Sequence, residues 1–288
     1  MKKLLTLITI LTVFLSSCSA NTDTLTESEK ISVYTSFYAM YDFAKAIGGD
    51  KADVAVLCPV GAEPHDYEPT AADMAKLSEA DVFIYNGMGM EHWADSITDI
   101  LKSEDVDVVC TSDFAAQTTE NNDPHIWLNP ENAYSQFEAI ANSFIQADEA
   151  NKDYYLSNLE LVKEKTDKLI DDYNSALSEF NSYDIITSHD AYTNLCETFS
   201  LNQMPVNGID NSEDPTPTRI AELVKYIKEK NIKYIFTEPL GTSSVIETVA
   251  EETGAGILTL DPFEGNKDNK DYFTVMYENL EALKTALG

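Results

Sequence analysis

An α/β fold in two similar lobes, each a parallel sheet flanked by helices and the pair joined by one long spine helix, is what this sequence predicts. Three observations carry it. Short β-branched runs alternate with helical stretches, the alternation occurs in two comparable halves, and a long amphipathic segment separates the halves. A chain of 288 residues also exceeds the usual size of a single core.

In the first half, strands are expected at Ile31–Ser36, Asp53–Leu57, Val82–Tyr85 and Val106–Val109, and helices over Tyr38–Ile47, Thr70–Ser78 and Glu91–Leu101. The next helix begins at Pro130, a favoured first-turn residue that follows Asn129 as cap. From Asp148 to Phe180 the residues Tyr155, Leu159, Val162, Thr166, Leu169, Tyr173 and Ala176 recur at spacings of three and four, the stripe of one long helix. At about 1.5 Å per residue it exceeds ~40 Å, enough to run the length of both lobes as a rigid spine. Such a spine favours small local changes over wide hinge closure.

The second half repeats the alternation. Strands are expected at Asp184–Thr187, Gln203–Gly208, Tyr234–Thr237 and Gly256–Leu260, and helices over Ala191–Phe199, Thr218–Lys230, Ser243–Glu252 and Tyr272–Ala286. The acidic, proline-bearing segment 210–217 reads as a surface loop. The organisation is therefore a first lobe over 31–147, a linking helix over 148–180 and a second lobe over 181–288.

The N-terminus is a secretory signal: Lys2 and Lys3, an apolar run from Leu4 to Leu15, then Ser16, Ser17 and Cys18. The run is too short for a transmembrane helix, which needs about 20 apolar residues. It resembles the bacterial lipobox, which implies removal of residues 1–17, lipidation of Cys18 and a polar tether over 18–30. That places the chain outside the cytoplasm, attached to the bacterial cell membrane by the lipid alone.

A formal net charge of −31 repels nucleic acid and anionic lipid surfaces, and most of it reads as a solubilising surface. Cys58, Cys110 and Cys196 lie in dissimilar contexts without a C-x-x-C pair, so no disulfide framework is indicated and each reads as a small core residue.

Of the four histidines, three stand where a strand or loop runs into the next helix: His65 in Glu63-Pro-His-Asp-Tyr, His125 in Asp123-Pro-His-Ile-Trp, and His189 in Ser188-His-Asp-Ala-Tyr. Asp261 ends the last expected strand. In open parallel sheets ligands bind beyond the carboxyl ends of strands, where such junctions converge. Three imidazoles and one carboxylate form a four-coordinate set of borderline ligands that suits Zn²⁺. His92 reads as a surface residue. Glu238, Glu63, Asp66 and Asp190 are candidates to hold the second nitrogen of a ligating ring, Glu238 foremost because it ends a strand on the same side of the sheet.

These motifs, in this order from about Ile31 onward, resemble the zinc/manganese solute-binding lipoproteins of ABC importers, the metal-binding adhesin-like family. The resemblance implies a metal held in the cleft between two lobes, and delivery to a membrane permease by a protein that is not an enzyme. Many manganese binders carry glutamate at the position of His189, so a third imidazole favours Zn(II), with Mn(II) as the alternative cargo. Unlike many zinc-specific members, the segment 117–123 is short and lacks histidine. A monomer is expected. Two other readings stay open: a zinc-dependent hydrolase, which a site closed by four protein ligands disfavours, and an adhesin in which metal is only structural.

Overall fold

The computed structural model describes residues 30–288 except 118, 120, 121, 210–214, 241–243, 266 and 267. The signal segment, Cys18, the tether up to residue 29 and most of the 210–217 loop lie outside the described residues.

The first half runs β1 (Ile31–Thr35), α1 (Tyr38–Gly48), β2 (Ala52–Val56), α2 (Ala71–Leu77), β3 (Val82–Tyr85), α3 (Ala94–Ser103), β4 (Asp107–Cys110) and α4 (Pro130–Ala147). Its strands form one parallel sheet in the order β2-β1-β3-β4. Every residue of β3 is buried, as a strand covered by helices on both faces requires. Local chemistry sets the helix starts. Thr70 and Asp73 form a reciprocal capping box at α2, and the Asn129 side chain accepts from the amides of Glu131 and Asn132 ahead of Pro130. Such a cap stabilises a helix by about 1 kcal/mol.

α3 starts at Ala94, three residues later than expected, because Glu91 is not a helix residue facing solvent. Its buried carboxylate accepts from Ser36 Oγ (2.5 Å) and from the amides of Asn86 and Gly87 (both 2.9 Å), closing the turn that follows β3.

The linking helix α5 spans Lys152–Leu177. It begins after a short 3₁₀ turn at Glu149–Asn151, since the Asp148 carboxylate is engaged by Asn151 Nδ2 (2.6 Å) and Tyr155 Oη (3.0 Å). Tyr155, Val162, Thr166, Leu169, Tyr173 and Leu177 are its buried face. That face packs on α1 and α4 of the first half and on elements of the second.

The second half runs β5 (Asp184–Thr187), α6 (Thr193–Phe199), β6 (Asn202–Pro205), α7 (Pro217–Lys230), β7 (Tyr234–Thr237), α8 (Ser244–Thr253), β8 (Gly256–Thr259) and α9 (Tyr272–Leu287). Its strands pair as two parallel ribbons, β5-β6 and β7-β8, with β5 beside β7. Smaller apolar clusters fill the outer side of the first sheet (Leu77, Phe83, Trp93, Leu101) and the space between α7, α8 and the second strands (Ile186, Leu223, Ile235, Val249).

The principal core runs through both halves of the chain. One cluster joins Val33, Phe43 and Phe137 of the first half, Leu169 and Tyr173 of α5, and Phe199, Phe263, Tyr272 and Leu280 of the second. Aromatic pairs stitch the seam: Phe43 meets Tyr272 edge-on at 5.3 Å, Tyr38 meets Phe263 at 5.5 Å, and Tyr173 stacks on Phe199 at 4.6 Å. The Tyr173 hydroxyl donates to Met276 O at 2.6 Å, tying α5 to α9. No helix among the described residues is long and apolar enough to cross a membrane.

Candidate metal centre

All the expected ligand positions lie beyond the carboxyl ends of strands, and the fold brings three of them into one buried cluster. His65 sits on a 3₁₀ turn, Pro64–Asp66, that follows β2, with Pro64 fixing the first position of the turn. His125 lies between β4 and α4, immediately before a second turn, Ile126–Leu128. His189 follows β5 by two residues, and its carbonyl accepts from Thr187 Oγ1 (2.8 Å) and Gln203 Nε2 (3.0 Å).

The fourth member is Glu264, not Asp261. Glu264 Oε1 is 2.8 Å from His125 Nε2, 3.6 Å from His189 Nε2 and 3.8 Å from His65 Nε2, and the two nitrogens of His65 and His125 are 3.2 Å apart. One ligand atom from each of His65, His125, His189 and Glu264 lies within 4.8 Å of the others. Donors held ~2.0–2.1 Å from a tetrahedral centre stand about 3.3 Å apart, so these separations match a zinc-sized ion with little adjustment.

Asp261 is turned to another task. Its Oδ1 accepts from Phe263 N (2.8 Å), while its amide and carbonyl pair with the Asn279 side chain (2.8 Å each). The turn this closes carries the chain on to Glu264. Phe263, directly before Glu264, has φ +62°, a backbone conformation that costs a residue with a side chain about 1–2 kcal/mol.

Each of two rings is oriented by a carboxylate on the nitrogen away from the cluster. Glu238, directly after β7, brings Oε2 to 2.7 Å from His189 Nδ1. Asp123 Oδ1 meets His125 Nδ1 at 2.6 Å and also accepts the His125 amide at 3.1 Å. Asp123 lies outside the candidates that the sequence pattern offers, although its position two residues before His125, with a proline between, lets its carboxylate reach the amide and the ring Nδ1 of that residue. The second oxygen of Asp123 accepts from Asn194 Nδ2 at 3.0 Å, so α6 of the second half holds the carboxylate that holds His125.

The remaining candidates are placed differently. Asp190 accepts from Thr193 Oγ1 (3.2 Å) at the start of α6, and Asp66 points to solvent. Glu63 faces the cluster, and burial together with the Glu264 charge pushes it up to about 8. His92 is exposed. Cys58, Cys110 and Cys196 are free thiols, and burial raises the pKa of Cys58 to about 12.

Electrostatically the cluster is a set of imidazoles around one ionised carboxylate. Burial alone would lower the His125 pKa, but Asp123 and Glu264 outweigh it and raise the imidazole to about 9. His189 is raised well above its ordinary value, with Glu238 and Glu264 prevailing over burial. Glu264 is held well below the usual carboxylate range, because His125 and His189 outweigh its burial.

Residues 33–286 match the family described as ZnuA, zinc-uptake complex component A, periplasmic. The chain belongs to that family. It is 32% identical over 314 residues to the zinc-binding protein AdcA of Streptococcus pyogenes, across 98% of this chain and 61% of AdcA. It therefore spans about three fifths of that relative's length. It is 32% identical over 283 residues to the high-affinity zinc uptake system protein ZnuA of Bacillus subtilis, across 91% of this chain and 89% of the relative. The Zn(II)-bound ZnuA-like domain of Streptococcus pneumoniae AdcA superposes with a TM-score of 0.79 at 30% identity, covering 90% of this chain and 99% of that one. In this ZnuA-family chain the buried cluster, His65 to Glu264, thus lies within the residues that match the family.

Proposed function

We propose that the chain is the extracytoplasmic solute-binding component of an ABC importer, taking up Zn(II) through His65, His125, His189 and Glu264 and passing it to a membrane permease. The observation that carries this reading is the meeting of three imidazoles and one carboxylate at tetrahedral separations inside a buried cluster. Nitrogen-rich, four-donor coordination suits Zn²⁺, whereas Mn²⁺ favours more oxygen ligands and binds such donors more weakly.

The same count separates a carrier from a hydrolase. Catalytic zinc keeps a position open for the water it activates, while four protein donors close the shell. Asp123 and Glu238 suit a carrier as well, since each fixes which ring nitrogen faces the ion without itself approaching it. We further propose that Cys18 carries the lipid that retains the protein at the outer face of the cell membrane, and that it works as a monomer divided into lobes at 31–147 and 181–288 around the linking helix.

The test is metal content and competition on protein lacking residues 1–18. One zinc per chain, displaced little by excess Mn(II) and lost from Glu264→Ala, is the expected result. Preference for manganese, or full zinc affinity in Glu264→Ala, would overturn the assignment.

A further inference from the structure

Glu264 is carried on neither a helix nor a strand, and the segment that presents it is held at nearly every polar group. Between β8 and Glu264, Leu260 O accepts from Tyr192 Oη (2.6 Å), Pro262 O accepts from Trp127 Nε1 (2.7 Å), and Asp261 Oδ1 accepts from Phe263 N (2.8 Å). The Phe263 ring is buried, 5.5 Å from Tyr38 and 5.7 Å from Tyr272. Left-handed backbone at a phenylalanine persists only where its surroundings over-determine it. Here the Asp261 cap on one side and the aromatic socket on the other do so.

The two outside braces come from particular places. Trp127 is two residues beyond His125, and Tyr192 is three beyond His189. Each histidine loop therefore grips one carbonyl of the turn that aims Glu264.

We propose that Asp261 is a positioning residue for metal capture: its side-chain oxygen closes the turn that directs Glu264 at the ion, and Trp127 and Tyr192 lock that turn to the His125 and His189 loops. This rests on Glu264 being a metal donor. What the turn needs from Asp261 is a hydrogen-bond acceptor, not a charge. A ligating Asp261 would need the charge. Asparagine keeps the acceptor and alanine removes it, so the two substitutions separate the roles.

The experiment measures zinc release to a chromophoric chelator, and the visible spectrum of the Co(II)-loaded protein as a report on coordination. The proteins are wild type, Asp261→Ala, Asp261→Asn, Phe263→Gly and Glu264→Ala, with thermal melts of the metal-free forms as a folding control. Asp261→Ala should release zinc about tenfold faster, the scale of one lost hydrogen bond, and weaken the four-coordinate Co(II) bands. Asp261→Asn should return the rate to within about twofold of wild type. Phe263→Gly keeps the left-handed backbone but loses the ring from its socket, and it too should release zinc faster. Wild-type release from both Asp261→Ala and Phe263→Gly would overturn the proposal, as would an Asp261→Asn protein as impaired as Asp261→Ala. Full zinc affinity in Glu264→Ala would instead remove the donor assignment beneath it, an outcome that the Asp261 variants do not produce.

Discussion

Replacing Asn194 with alanine should weaken zinc binding although Asn194 lies outside the metal-donor set. Its amide nitrogen is 3.0 Å from Asp123 Oδ2 and 3.3 Å from Asp123 O, and Asp123 in turn holds His125 Nδ1 at 2.6 Å. Asp123, His125 and Asn194 are all buried, so water does not readily replace the lost donor. A hydrogen bond to a buried charged group is worth about 1.5–3 kcal/mol. If that is transmitted through the Asp123 carboxylate to the ring, zinc affinity falls by roughly 10–100-fold, the range in which partners of metal-bound histidines usually act. Asn194→Asp should be worse than Asn194→Ala, since it sets a second carboxylate against Asp123. Affinity is measured by competition with a chelator, alongside melts of the metal-free proteins. Unaltered zinc affinity in an Asn194→Ala protein that melts lower would reduce Asn194 to a packing contact and refute the relay.

Four further outcomes are expected. Zinc loading at about pH 7 should release at least ~1 proton per ion, because an imidazole raised to about 9 must give up its Nε2 proton to bind. Titration calorimetry in two buffers of different ionisation enthalpy measures it, and release of less than about half a proton would contradict the reading. The same raised pKa means that the contribution of His125 to the stability of the metal-free protein is full below about 6.5 and is lost as pH rises through about 9. Asp42 of α1 accepts from Tyr272 N at 3.0 Å, and burial lifts its carboxyl to about 7. Between about pH 4 and 7 the folded chain thus holds a proton that the unfolded chain has released, so stability falls as pH rises. Asp42→Asn should flatten that dependence in denaturant melts, and an unaltered pH slope would count against it. Tyr173→Phe removes the hydrogen bond to Met276 O and should lower stability by about 1–2 kcal/mol while zinc affinity is retained. A wild-type melting curve would contradict this.

Much of the scaffold is legible from residue pattern alone. β3, β5 and β7 coincide with the expected Val82–Tyr85, Asp184–Thr187 and Tyr234–Thr237, since each is a β-branched or aromatic run with polar residues at its borders. The Asn129-Pro130 start of α4 and the buried stripe of α5 were legible for equally local reasons. What pattern reading missed depends on the path of the chain in space. Glu91 has the look of an acidic first-turn residue, but Ser36, 55 positions away, supplies it with a buried partner. Asp261 is the carboxylate nearest the strand end, which is what residue pattern selects. The left-handed residue at Phe263 redirects the segment, and only then does Glu264 face the rings. Asn194 carries no sequence mark at all, because its importance arises from a contact between the two halves.

The core that joins the two halves makes their wide separation rare. Parting the halves would bring Phe43, Phe137 and Phe263 into water, at about 1.5–3 kcal/mol for each such side chain. For the three together that is roughly 5 kcal/mol or more, which leaves fewer than about one molecule in a thousand spread apart at any moment. Under the importer role proposed above, release of an ion would therefore come from local movement of the loops that carry the donors, and not from a spontaneous gape of the two halves.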